Sequence, residues 1–317
     1  MSKLIAVVGA TGAQGGGLVR AILSDPAAVF KVRALTRKTT GEKADALRAL
    51  GAEVFAADLD DAASLAQAFA DCHGAYCVTN YWEHFKPEKE LSQAANMAQA
   101  AKAAKLAHVV WSTLEDTRRF LPADGKRMPV LMGTYNVPHF DAKGEANRFF
   151  TDRGLPVTLL HTSFYWDNLI HFGMGPQRGP DGNLIFVLPM ADKPLPGIAV
   201  ADIGACAAGI FRTPSWIGQS VGIAGEHITG AEMASALSRT FNEPVTYVPM
   251  APADYAKLGF PGADDLANMF QFKVEFNDAF CAARPPAESK ALNPQLQNFE
   301  AWLVRAGAQI KVPPKAG

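Results

Sequence analysis

The stretch Leu4-Ile5-Ala6-Val7-Val8-Gly9-Ala10-Thr11-Gly12-Ala13-Gln14-Gly15-Gly16 decides the fold class. Residues 4–8 are an unbroken apolar run, the pattern of a strand covered on both faces. The glycines at 9, 12 and 15 have the spacing GxxGxxG, one residue longer between the first pair than GxGxxG. Gly9 permits a tight exit from the strand. Gly12 lets a pyrophosphate approach the backbone, and Gly15 lets the following helix pack close to the sheet. That helix would offer free N–H groups and a partial positive charge to phosphates at Thr11, Ala13, Gln14 and Gly16. A strand–glycine turn–helix in this order is the context that a dinucleotide fingerprint requires.

Outward from this turn, apolar runs at 32–35, 54–57, 75–78, 109–111 and 157–160 alternate with helical patterns at 18–23, 44–50, 62–69, 88–104 and 140–152. Such alternation predicts an α/β Rossmann fold, a doubly wound parallel sheet with helices on both faces. Past residue 163 the rhythm changes. Gly and Pro cluster from 173 to 197, with a hairpin expected around Gly179-Pro180-Asp181-Gly182. A helix is predicted over 231–241, followed by an extended segment at 245–249. The expected division is a dinucleotide domain at 1–162 and a smaller α/β C-terminal region at 163–317 that caps it. A return of the chain to the sheet is placed near 219–223.

Composition limits the partners. The 317 residues carry 30 Lys plus Arg against 31 Asp plus Glu, a net charge of −1. Direct nucleic-acid binding and adhesion to an anionic membrane are not expected. The N-terminal run leads straight into a strand, so no secretory leader is predicted. The apolar stretch 198–211 contains Asp202 and is too short to cross a bilayer. Cys72, Cys77, Cys206 and Cys281 lack CxxC or zinc spacing, which predicts free thiols in the cytoplasm and no metal site.

The second strand bears on the choice of dinucleotide. NAD(H) is usually held by an acid at this strand end. Here the strand ends Leu35-Thr36-Arg37-Lys38. Arg37 would repel nothing on a 2′-phosphate and would grip it as a charged fork, so NADP(H) is expected. The alternative is that Arg37 and Lys38 are a solvated strand end. Asp58 and Leu59 follow the third strand, beside the adenine, although Asp58 is equally suited to cap the next helix. Thr79, Asn80 and Tyr81 follow the fourth, beside the ribose and nicotinamide.

These features resemble the atypical short-chain dehydrogenase/reductase proteins, and within them the NmrA-like, redox-sensing branch. The segments that carry the likeness are Thr79-Asn80-Tyr81-Trp82-Glu83, His139-Phe140-Asp141-Ala142-Lys143-Gly144-Glu145 and Leu258-Gly259-Phe260-Pro261-Gly262-Ala263. The run Asp265-Leu266-Ala267-Asn268-Met269-Phe270 adds to it. The resemblance spans residues 3 to about 273. It implies NADP(H) between the two regions, with residues 12–16 at the pyrophosphate, 37–41 at the adenosine end, and Asp58 and Leu59 at adenine. It further implies Thr79 to Tyr81 near the ribose, Lys143 on the nicotinamide ribose, and Ser163, Phe164, Tyr165 and Trp166 flanking the nicotinamide. The redox-sensing relatives carry a cofactor lysine on the helix after Trp82, where this chain has Ser92. Lys89 is one turn away and is a candidate replacement.

Reductases of the wider superfamily place Tyr and Lys at i and i+4 on one helix face, so that the lysine charge lowers the phenol pKa. Lys143 is present here and Ser112 stands at the end of the fifth strand, but His139 occupies the tyrosine position. Imidazole can donate a proton near neutral pH. The competing expectation is that His139 bonds locally at the start of its helix. His161 is expected to be a satisfied core residue. Phe164, Tyr165, Trp166 and Phe172 are candidates to line a pocket for an aromatic or quinone substrate. The stretch 264–272 reads as core first and as a partner-binding face second.

Three functions follow as expectations: an NADP(H)-binding redox sensor, an NADPH-dependent reductase of a carbonyl, imine or quinone, and a regulator that acts by contact with a transcription factor. Oligomeric state is left open, with a dimer among the options.

Overall fold

The structure, a computed structural model, describes residues 2–314. The first half runs β1 (Lys3–Val7), α1 (Ala13–Leu23), β2 (Phe30–Thr36), α2 (Glu42–Ala49), β3 (Glu53–Ala56), α3 (Ala62–Phe69) and β4 (Gly74–Cys77). It continues with α4 (Pro87–Ala103), β5 (His108–Thr113), α5 (Pro138–Thr151) and β6 (Val157–His161). Every strand lies within a residue or two of its expected position. Pro87 and Pro138 open α4 and α5 at the helix position where a missing N–H is harmless.

After β6 come β7 (Phe164–Tyr165), α6 (Asn168–His171), β8 (Gln177–Arg178), β9 (Leu184–Val187), β10 (Leu195–Ile198), α7 (Val200–Arg212) and β11 (Ser220–Gly222). The chain continues with β12 (Glu226–Ile228), α8 (Gly230–Phe241), β13 (Val245–Val248), α9 (Pro252–Ala256), α10 (Ala263–Glu275) and α11 (Asn277–Ala282).

The principal sheet has seven strands in the order β11-β6-β5-β4-β1-β2-β3. All its pairings are parallel. β1 is central, and Ile5, Ala6 and Val7 are buried because helices cover both faces. One face packs Leu18, Val19, Ile203, Ile210 and Phe211. The other packs Phe69, Met97, Trp111 and Phe150, with Trp111 and Phe150 stacked at 4.8 Å. The chain re-enters the sheet at β11, which pairs with β6 from Ser220↔Leu159 to Gly222↔His161.

α7 explains the apolar run at 198–211: it lies along the sheet beside α1, sealed on most sides. The two helices touch at glycine. A Cβ on Gly204 would sit 2.1 Å from the Gly17 carbonyl carbon. Among the described residues no helix is long and apolar enough to cross a membrane.

The C-terminal region contains two three-stranded sheets, β12-β10-β7 and β13-β9-β8. The expected hairpin is β8–β9, turning through Gly182. Its core holds Trp166, Phe186, Phe270, Phe272, Phe299 and Trp302. α10 contributes Met269 and Phe270 to that core, with Leu266 partly buried against it.

Candidate functional site at the carboxyl edge of the sheet

In a parallel sheet every strand points its carboxyl end the same way, so the residues that follow β1 to β6 share one edge. The glycine turn follows β1, Arg37 and Lys38 follow β2, and Asp58 and Leu59 follow β3. Thr79, Asn80 and Tyr81 follow β4, Ser112 is the penultimate residue of β5, and Ser163 lies two residues past β6.

The glycine turn has the shape of a cradle. Gly9 sits at φ +65°. A Cβ on Gly15 would lie 2.4 Å from the Gly9 carbonyl oxygen, so α1 can approach the strand only without a side chain there. No side chain caps the N-terminus of α1. Its leading N–H groups are therefore open at Ala13, while Gly9, Thr11 and Gly12 are exposed. Gly16 packs 3.2 Å (as a Cβ) from the Ala10 oxygen. At the far end, Ser163 Oγ is buried with no hydrogen-bond partner. An open helix N-terminus, a backbone cradle and an orphaned hydroxyl along one edge fit a diphosphate-bearing dinucleotide.

At the β2 tip, Arg37 Nη1 lies 2.6 Å from Glu83 Oε1, both side chains being about half exposed. The hydrogen bond and charge of Glu83 hold the guanidinium above its ordinary pKa. Lys38 is exposed beside it. Leu59 presents its carbonyl to Asn96 Nδ2 at 2.8 Å. Asp58 does not cap α3. Asp61 does, accepting from Ala63 N and Ser64 N, and Asp58 instead closes a local turn on Asp60 N. The capping expectation was displaced because the helix starts at Ala62, directly after Asp61. Lys89 Nζ is bound to Asp60 at 2.8 Å, at the same corner, while Ser92 is exposed.

Lys143 projects from α5 toward β4. Its Nζ donates to Thr79 Oγ1 at 2.6 Å and Thr79 O at 3.1 Å, and pairs with Glu90 Oε1 at 2.6 Å. Thr79 Oγ1 in turn donates to Glu90 Oε1 at 2.5 Å. Glu90 is wholly buried on α4, and its Oε2 has no hydrogen-bond partner. His84 Nδ1 accepts from Lys86 N, so Nε2 carries the hydrogen; it stands 3.6 Å from that free oxygen. Burial holds the His84 imidazole below its ordinary pKa.

His139 does not bond locally. Its Nδ1 lies 2.6 Å from Asp265 Oδ1 on α10, and its backbone N–H donates to the same carboxylate. The ring also packs on Trp82 at 4.7 Å. Tertiary contact, invisible in the local sequence, supplied a stronger partner than the helix end.

A second polar knot centres on Gln14. Its Oε1 accepts from Ser112 Oγ at 2.8 Å and from the Tyr76 hydroxyl, and its Nε2 donates to Tyr165 Oη at 2.5 Å. Burial raises the pKa of both phenols, so each keeps its proton. Burial also raises that of Tyr81, with Asp265 adding to the effect.

The expected aromatic pocket is not formed by its four rings. Trp166 is sealed against Phe299 and Trp302, Phe164 is buried in the same core, and Phe172 is 71 % exposed. Strand alternation separates Tyr165, which reaches Gln14, from its neighbours. His161 differs from expectation too: its Nδ1 is buried without a hydrogen-bond partner, 3.9 Å from Glu115. Burial lowers its pKa to about 4. Among the described residues no group of three His, Cys, Asp or Glu side chains is placed to hold a metal. The four cysteines are free thiols.

Glu90 was missed in the sequence, and Glu83 and Asp265, though they stand in the segments of family likeness, were given no role there. Glu90 did leave a signal: it falls in helical register with the apolar face Ala94, Met97 and Ala101.

The fold has counterparts in known proteins. The negative transcriptional regulator NmrA, solved in complex with NADP, superposes with a TM-score of 0.75 at 23 % identity, covering 95 % of this chain and 94 % of that one. The same protein has been solved with NAD. Triphenylmethane reductase of Citrobacter sp., complexed with NADP(H), superposes with a TM-score of 0.74 at 20 % identity, over 95 % and 99 % of the chains. An NmrA-like family domain-containing oxidoreductase of Aspergillus flavus is 26 % identical over 94 % of this chain and 91 % of its own length. The model of the NmrA-like family matches residues 1–303. With the glycine cradle, the parallel sheet and the β11 return in place, that match settles the kinship: the chain belongs to the NmrA-like family.

Proposed function

We propose that this protein binds NADP(H) along the carboxyl edge of the sheet and serves as a sensor of the nucleotide's redox state. The supporting observation is the contrast between an open cradle and engaged acid–base groups. Gly9, Thr11, Gly12 and Ala13 are exposed, whereas Lys143 is held by Thr79 and Glu90, and His139 is held by Asp265. Arg37 and Lys38 favour the 2′-phosphate form. In this reading Gly12 to Gly16 hold the pyrophosphate, Asp58 and Leu59 border the adenine, Asn80 and Tyr81 border the ribose, and Ser163 meets the nicotinamide. The bound nicotinamide would supply hydride chemistry; the chain supplies its orientation. A sensor needs a difference in affinity between NADPH and NADP⁺, because a ligand shifts an equilibrium only by that difference. Its output would be a protein partner, and free thiols suit a reducing cytoplasm.

A second reading, NADPH-dependent reduction of an aromatic carbonyl, imine or quinone, is favoured by the Gln14 knot. It gathers Ser112, Tyr76 and Tyr165 hydroxyls near the turn, with Tyr165 retaining a proton to give. Titrations with NADPH and NADP⁺, paired with NADPH absorbance over a panel of ketones, imines and quinones, separate the two. Tight binding, unequal for the two redox forms and without turnover, supports sensing. Turnover that Lys143→Ala weakens supports reduction, and absence of nucleotide binding sinks both.

A further inference from the structure

The Arg37–Glu83 contact joins the tip of β2 to the short turn Tyr81–Glu83 that follows β4. In the sheet those strands flank β1 on either side. The contact therefore bridges the edge beside the place where the glycine turn leaves β1. We infer that Glu83 is an internal rival of the nucleotide's 2′-phosphate for Arg37, and so sets how strongly the site prefers NADP(H) over NAD(H). The inference rests on the NADP(H) reading above.

The chemistry favours exchange. Side-chain exposures are 65 % for Arg37 and 48 % for Glu83. Exposed pairs of this kind are worth about 1 kcal/mol at most. A phosphate dianion offers the guanidinium two parallel charge-assisted bonds and displaces a single carboxylate contact. NAD(H) presents only a neutral hydroxyl there, which has no means of drawing Arg37 away. Glu83 thus taxes only the phosphorylated nucleotide. Asp58 and Asp60 add further negative charge at this corner, and Lys89 forms its ion pair with Asp60 while its charge also faces Asp58 and Glu83. The carboxylate that engages Arg37 directly is Glu83.

The test uses the full chain and two soluble probes, 2′,5′-ADP and 5′-ADP, titrated calorimetrically against wild type, Glu83→Gln, Arg37→Ala and the double variant. Glu83→Gln should tighten 2′,5′-ADP by about fivefold, the scale of one exposed ion pair, and leave 5′-ADP unchanged. Glu83→Ser should act in the same direction. In the Arg37→Ala background the gain should vanish. Unchanged or weaker 2′,5′-ADP binding by Glu83→Gln, or a gain that survives loss of Arg37, overturns the exchange. If wild type binds NADPH tightly while Glu83→Gln has no effect, only the exchange fails. If wild type binds neither NADPH nor 2′,5′-ADP, the cofactor reading fails and takes the exchange with it.

Discussion

Lys143 Nζ and Glu90 Oε1 stand 2.6 Å apart, one on α5 and the other on α4, beneath the edge where β4 ends. The lysine is the residue the family resemblance marks for the nicotinamide ribose, yet its ammonium already has a buried counter-ion and a threonine. Removing one member of such a pair strands the other, at a cost of about 3–5 kcal/mol. Lys143→Met alone should lower the denaturation midpoint strongly. Lys143→Met with Glu90→Leu should recover much of the loss. A double-mutant cycle by urea unfolding measures this; additive losses would show that the pair is not coupled.

Gly15→Ala tests the cradle. Its Cβ would meet the Gly9 oxygen at 2.4 Å, a backbone atom that has no freedom to move aside. We expect NADPH affinity to fall at least tenfold, with the turn displaced. Retained affinity in a fluorescence titration would place the nucleotide elsewhere. Arg37→Glu should also weaken NADPH sharply while sparing NADH.

Lys273 is fully buried among Phe140, Phe270 and Phe280, where Met269 Sδ is 3.3 Å from its Nζ. Burial lowers its pKa to about 7, the Arg284 charge helps, and Glu115 opposes. The unfolded chain keeps this proton to about pH 10.4. Between those values the unfolded state binds more protons, so the lysine's penalty on folding eases as pH rises. Lys273→Met should therefore stabilise the protein most at pH 7 and below, with the advantage shrinking toward pH 10. Denaturation midpoints at pH 6.5 and 9.5 give the comparison. A constant advantage would mean the amine stays charged inside the fold.

Glu115 behaves in the opposite sense. Burial alone would raise its carboxyl, but the Arg284 charge and its two contacts, at 2.6 and 2.8 Å, bring it down to about 2. Its contribution is fully present above the unfolded value, near pH 4.3, and is lost as pH falls toward 2. Glu115→Gln should cost stability at pH 7 and much less at pH 2.5. Equal losses at both pH values would point to packing in place of charge.

The first half of the molecule was legible because each strand and helix announces itself by a local period. Residues 4–8 and the glycine turn sufficed to place β1 and α1, and Ala62–Phe69 matched its predicted bounds. The C-terminal sheets were legible only in part: the hairpin around Gly179–Gly182 and the extended segment at 245–249 were read, as β8–β9 and β13, and the rest was not. A strand such as Phe164–Tyr165 is shorter than one full alternation, so no pattern can develop. Along the sheet edge, the placement of the glycine turn and of the strand-end residues was readable. Partners across the fold were not: His139 and Asp265 are 126 residues apart, and nothing in either neighbourhood names the other.

The glycine-to-glycine seam between α1 and α7 carries one more consequence. Helix α1, which opens from the glycine turn, leans on a segment encoded some two hundred residues downstream of that turn, and the far edge of the sheet comes from there too. A clone ending after β6 would lack that buttress, so the segment with the glycine turn is not a transplantable cassette. Any perturbation of α7 is thereby wired, through backbone against backbone, to the helix that opens from the glycine turn.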